Sequence, residues 1–184
     1  MVQTVQELGQ LNLLQVSKPK TLTHGMKVYS TEEPLSFKLE GVTTPFGPSV
    51  FNGTGEEARQ SLVFSIPEDV YSRLKNLEDD FKTQLTVMRP NIDSVWFSSL
   101  KPSTGNYEPT FRAKINVKGD RVCKFYGPDN EIASAPENWR GCEMDVVVRV
   151  GGAYTQQRGA GALFEVTHAR CGPNQVGKSQ NPFA

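Results

Sequence analysis

Arg112, Lys114 and Lys118 alternate with Phe111, Ala113, Ile115 and Val117 across residues 110–118. A strand repeats its side-chain direction every two residues, so this stretch has one apolar face and one cationic face. Cations held in a row displace counterions from phosphates, which suits such a strand to a nucleic-acid backbone. Arg121 and Lys124 continue the charge on the next predicted strand, and Arg149, Arg158 and Arg170 line the far side or a loop. Aromatic rings supply a second term, stacking on exposed bases at roughly 1–3 kcal/mol per base whatever the sequence. Tyr126, Trp139 and Tyr154 are the candidate rings, with Trp96 and Phe97 behind them.

Each residue type also has a plainer use. Phe111, Phe125 and Phe164 sit in apolar alternation and read as core. Tyr126 and Tyr154 fit either the core margin or a contact surface, since tyrosine straddles both. Trp139 lies in a polar loop, as an anchor or as a stacking platform. The Arg112, Lys114 and Lys118 row by itself matches any solvated sheet face. Its basic and aromatic neighbours are what favour binding.

Catalysis finds no comparable grouping. His24 and His168 are the only histidines, and His168 reads as structural. Cys123, Cys142 and Cys171 are widely spaced and odd in number, which argues against both a zinc site and a disulfide framework. That usage fits a reducing, intracellular compartment. No phosphate-binding loop or nucleophile elbow is present. The expectation is a non-enzyme with no catalytic residue, metal or cofactor.

The 184 residues fit one domain, and 37% apolar with 22% charged residues reads as globular. No apolar run is long enough to span a membrane, and no secretory signal is expected at the N-terminus. Twenty basic residues balance twenty acidic ones, so any cationic site must arise by segregation of charge between faces. Glu56, Glu57, Glu68, Asp69, Glu78, Asp79 and Asp80 make one acidic quarter, the stretch from 68 to 80 reading as a solvated helix face.

The elements that must hold the cationic row read as short strands around one helix. Residues 1–26 read as an N-terminal arm, in which Leu8, Leu11, Leu13 and Leu14 suit a short helix or a partner contact. The folded domain spans 27–171, and 172–184 read as a flexible tail. Alternation marks strands near 35–39 and 61–66. Ser65 and Glu68 match a capping box, with Pro67 in the first turn. Val70, Leu74, Leu77, Phe81 and Leu85 then form one apolar helical stripe. Further strands are expected near 110–118, 121–126, 143–150 and 162–170. Gly119 and Asp120 read as a hairpin link, and Gly151, Gly152, Gly159 and Gly161 as bracketing an exposed loop. A mainly β domain with one principal helix suggests a Greek-key barrel of the oligonucleotide-binding (OB) kind, or a β-sandwich.

The order of landmarks resembles the single-stranded DNA-binding proteins of T7-like phages and large eukaryotic DNA viruses. The residues are Pro45, Phe46 and Gly47; Leu62 to Phe64; the capped helix; Asp93, Trp96 and Phe97; and Tyr107, Pro109 and Thr110. The basic strand follows, then Gly141 before Val146 to Val150, and Tyr154 ahead of Gly159, Gly161, Phe164 and Val166. The resemblance spans roughly residues 35–170 and implies an OB-fold that binds single strands without sequence preference in replication, recombination or repair. The phage proteins end in an acidic tail that recruits replication enzymes, whereas residues 176–184 hold no Asp or Glu. The implied partner is single-stranded DNA, with RNA open as an alternative and no membrane. A homo-oligomer and replication proteins are further partners to test. The competing reading is a structural or protein-interaction β module of a virion or assembly.

Overall fold

The structure, a computed structural model, describes residues 2–9, 11–13, 19–22, 25–50, 53, 57–90 and 95–172. His24, Leu14, Asp93, Glu56 and residues 173–184, including the tail without acidic groups, lie outside the described residues.

Among the described residues, eleven strands and one principal helix follow in chain order: β1 (Val2–Thr4), β2 (Lys20–Thr21), β3 (Lys27–Tyr29), β4 (Leu35–Thr44), β5 (Arg59–Ser65), α1 (Glu68–Met88), β6 (Leu100–Lys101), β7 (Thr110–Asn116), β8 (Lys124–Tyr126), β9 (Ile132–Ala133), β10 (Cys142–Gln156) and β11 (Gly159–Cys171). β4, β5, β7, β11 and β10 pair in a cycle. Two of its seams are thin: β4 meets β5 at Thr43 and Ser65 alone, and β7 runs parallel to β11 over two residue pairs. The chain is therefore a mainly β fold with one helix, its strands forming a partial ring.

Period-two alternation sets the core. Phe37 from β4, Phe64 from β5, Phe111 from β7 and Phe164 from β11 are buried, with neighbouring ring centroids 5.1–6.4 Å apart. α1 lays Leu74, Leu77, Phe81 and Leu85 against this core, as their helical spacing predicts. β1 pairs in parallel with β4, Val5 and Leu13 are buried, and Gln84 of α1 accepts from the Leu13 N–H and donates to the Leu11 carbonyl.

Three local expectations change. The capping box does not form: Ser65 is the last residue of β5, paired with Thr110, and Pro67 takes the cap position in extended geometry. The positive end of the helix is instead met by Glu68 and Asp69. Gly119 and Asp120 do not join a hairpin. β7 and β8 both run parallel to β11, so the chain bulges away over residues 117–123 and resumes the same direction. Nor do the glycines near 151 and 159 bracket a loop. β10 and β11 pair continuously from Met144–Cys171 to Gln156–Gly159, turning at Gln157 and Arg158. Gly152 has φ 100° at a β-bulge, where the Tyr29 backbone lies against the place a Cβ would occupy.

Candidate nucleic-acid interface

β7 buries Phe111, Ala113 and Ile115 and turns Arg112 and Lys114 outward. β5 pairs antiparallel with it, setting Val63 opposite Arg112 and Ser61 opposite Lys114, and brings Arg59 to the same outer face. These three cations border a groove of about 500 Å³ whose other walls include Tyr154, Leu163 and Phe97. Lys114 donates to Ser61 Oγ at 3.0 Å. Its pKa is lowered, first by desolvation in the groove and then by the neighbouring charges of Arg112 and Arg59. The Tyr154 phenol is shifted up by burial, with Arg112 opposing and Glu78 adding to the effect. A bound phosphate would relieve the mutual repulsion among the three cations.

The aromatic wall is fixed by small residues and one buried acid. The Phe97 N–H donates to the Ala160 carbonyl at 2.7 Å, and the Ala160 N–H to the Val95 carbonyl at 2.9 Å. At Gly161 a Cβ would lie 2.9 Å from Tyr154 Cε1 and 3.0 Å from the Phe97 carbonyl oxygen, so only glycine lets both segments rest on β11. Glu78, 1% exposed, accepts from Ser98 Oγ at 2.5 Å and from the Ser99 N–H at 2.7 Å. The Ser99 carbonyl in turn accepts the Arg112 N–H at 2.7 Å. One helix carboxylate thus holds the segment that carries Phe97 and touches the backbone of Arg112.

Glu78 corrects the reading of residues 68–80 as a wholly solvated face. The signal was present: Leu74, Glu78, Phe81 and Leu85 are spaced four, three and four apart, so Glu78 shares the apolar stripe. Arg59 was also missed, although Arg59, Ser61 and Val63 alternate with Gln60, Leu62 and Phe64. Phe97 enters the groove, whereas Trp96 forms a bridge to Ala160 outside it.

The remaining sequence candidates lie elsewhere on the surface. Lys118 and Arg121 are exposed on the 117–123 bulge. Lys124 and Tyr126 point outward from β8, and the Tyr126 ring stacks with His168, centroids 6.1 Å apart at 16°. Arg149 pairs with Glu165 at 2.5 Å, and Asn116 Nδ2 donates to the other oxygen of Glu165 at 2.8 Å. Arg158 is exposed at the β10–β11 turn. Arg170 is paired with Asp145 and donates to Asn130. Trp139 packs edge-on against Phe125 at 5.8 Å, and its carbonyl accepts from Thr44 Oγ1 and the Cys142 N–H. It also lines an apolar hollow of about 600 Å³ with Tyr126, Ile132 and Lys124.

No protein-family profile matches the sequence, and no curated protein matches it. Solved structures do. The single-stranded DNA-binding protein gp2.5 of bacteriophage T7 superposes with a TM-score of 0.55 at 11% identity, covering 78% of this chain and 88% of that one. The single-stranded DNA-binding protein of bacteriophage Enc34 gives 0.50 at 14% identity over 84% of this chain and 88% of that one. Its C-terminal truncation gives 0.50 at 13% identity, over 83% and 92%. At these identities the likeness is one of fold, and it is the fold that the sequence landmarks implied.

Proposed function

We propose that this chain is a non-enzymatic protein that binds single-stranded DNA without sequence preference, in replication, recombination or repair. The observation that carries the reading is the convergence of Arg59, Arg112 and Lys114 with Tyr154 and Phe97 around one groove. Cations and rings at one place serve the two terms that hold an unpaired strand, phosphate neutralisation and base stacking. Stacking accepts any base, so a strand held this way needs no particular sequence. The shared fold with phage proteins named for single-strand binding supports the same reading.

The test is fluorescence anisotropy on a labelled single strand, its duplex and the matching RNA, each across a salt series. Tight single-strand binding that weakens steeply with salt, with duplex far weaker, is the expected result. Equal weak binding to all three polymers overturns the proposal and leaves a protein-interaction module. RNA bound as tightly as DNA keeps the groove and changes its polymer, since the 2′-hydroxyl is what separates the two.

A further inference from the structure

The outer face of β11 continues past the groove to a second aromatic pair. Along that strand Gly161 lies beneath Tyr154 and Phe97, Leu163 lines the groove, Glu165 meets Arg149 and Asn116, and His168 meets Tyr126. β7 and β8 flank the same edge in one direction, with Lys114 beside Glu165 and Lys124 beside His168. From Gly161 to His168 the strand advances about 20 Å, allowing for the bulge near Thr167.

We infer that Tyr126 and His168 form a second base-stacking platform, so that one single strand runs along β11 from the groove to this pair. The inference rests on the proposed single-strand binding. The two rings are diagonal neighbours across the parallel β8–β11 pair, 16° from parallel and both half-buried, beside the exposed Lys124. The stretch between the platforms is passable to a phosphate chain. Glu165 is only 11% exposed and has both oxygens engaged, while the Arg149 side chain is 46% exposed and has five N–H donors to share. A strand following this line meets the groove cations, with Lys114 and Arg149 level with each other on either side of Glu165, and then Lys124, with rings at each end. The span places the footprint at the low end of the roughly 4–16 nucleotides typical of one such domain.

The experiment compares oligothymidylates of about three and about eight nucleotides, short and long against that footprint, on the wild type and on Tyr126→Leu with His168→Leu. The double change keeps apolar cover and removes the rings. The expected result is a loss of about tenfold or more in affinity for the long strand, with the short strand bound as before. Equal losses on both lengths, or none on the long strand, overturn the second platform while leaving single-strand binding intact. A wild type that binds neither length overturns the underlying reading instead. Should the double variant not fold, His168→Trp decides the matter: its added fluorescence is quenched by the long strand and not by the short one. Quenching by both or by neither counts against the platform.

Discussion

Crowding three cations into one groove places an electrostatic burden on Lys114. Its pKa is lowered by desolvation first and by Arg112 and Arg59 after it. A lysine whose folded-state pKa lies below its unfolded value weakens folding while it is charged. The lost stability returns as the pH rises through the lowered value toward the ordinary lysine range. Lys114→Met is therefore expected to leave the melting temperature unchanged or higher at neutral pH while weakening binding, a trade of stability for function. Calorimetry and anisotropy on the same variant check both halves, and a lower melting temperature with unchanged affinity contradicts the assignment. Arg112→Ala with Lys114→Ala should reduce affinity and lower the single-strand salt slope by about 1.4, at about 0.7 per phosphate contact. Both side chains point away from the core, so circular dichroism should not change. An unaltered slope makes this strand a merely solvated face.

At the scale of elements, the strands are positioned by a few residues whose substitution acts on stability. Gly152 holds φ 100° at the bulge that lets β3 cross beside β10. Gly152→Ala adds both a disfavoured backbone conformation and a collision with the Tyr29 carbonyl, and should cost about 1–3 kcal/mol in thermal denaturation. A neutral effect shows that β3 can move away freely. Glu78→Leu leaves the Ser98 hydroxyl and the Ser99 N–H without their acceptor and should cost about 1–3 kcal/mol. It should also loosen Phe97, so single-strand affinity falls together with stability, whereas Glu78→Gln retains an acceptor and should recover part of both. The apolar stripe of α1 and the two-sided pattern of β7 were legible in the sequence because each depends only on spacing. The ends of β10 and β11 were not. Glycine normally signals a turn, and here it serves a bulge and a close approach inside a strand.

Over the whole molecule, three thiols gather at one end of the ring. Cys142 opens β10, Cys171 closes β11, and Cys123 precedes β8; all three are buried. Burial is the first cause of the upward shift of each, and it pushes Cys123 and Cys171 to about 12. Thiolate is the reactive form, so a thiol reagent near neutral pH should label the folded chain slowly, at a rate that follows unfolding. Rapid labelling without denaturant shows that the seam between β8, β10 and β11 opens locally. Among the described residues no helix is long and apolar enough to cross a membrane.

The sequence by itself determined what depends on near neighbours: a mainly β chain, one amphipathic helix, and a β7 strand with Phe111 inside and Arg112 and Lys114 outside. These follow from periods of two and of 3.6, which side-chain geometry imposes before any tertiary contact forms. Tertiary structure alone decided which charges meet. Arg59 joins Arg112 and Lys114 because β5 lies antiparallel to β7, and Arg149 acquires Glu165 because β10 and β11 form a continuous hairpin. His168 meets Tyr126 because β8 runs parallel to β11 across a connection that looked like a hairpin turn. Strand pairing is a long-range property, set by register and direction, and no local pattern in this chain encodes it.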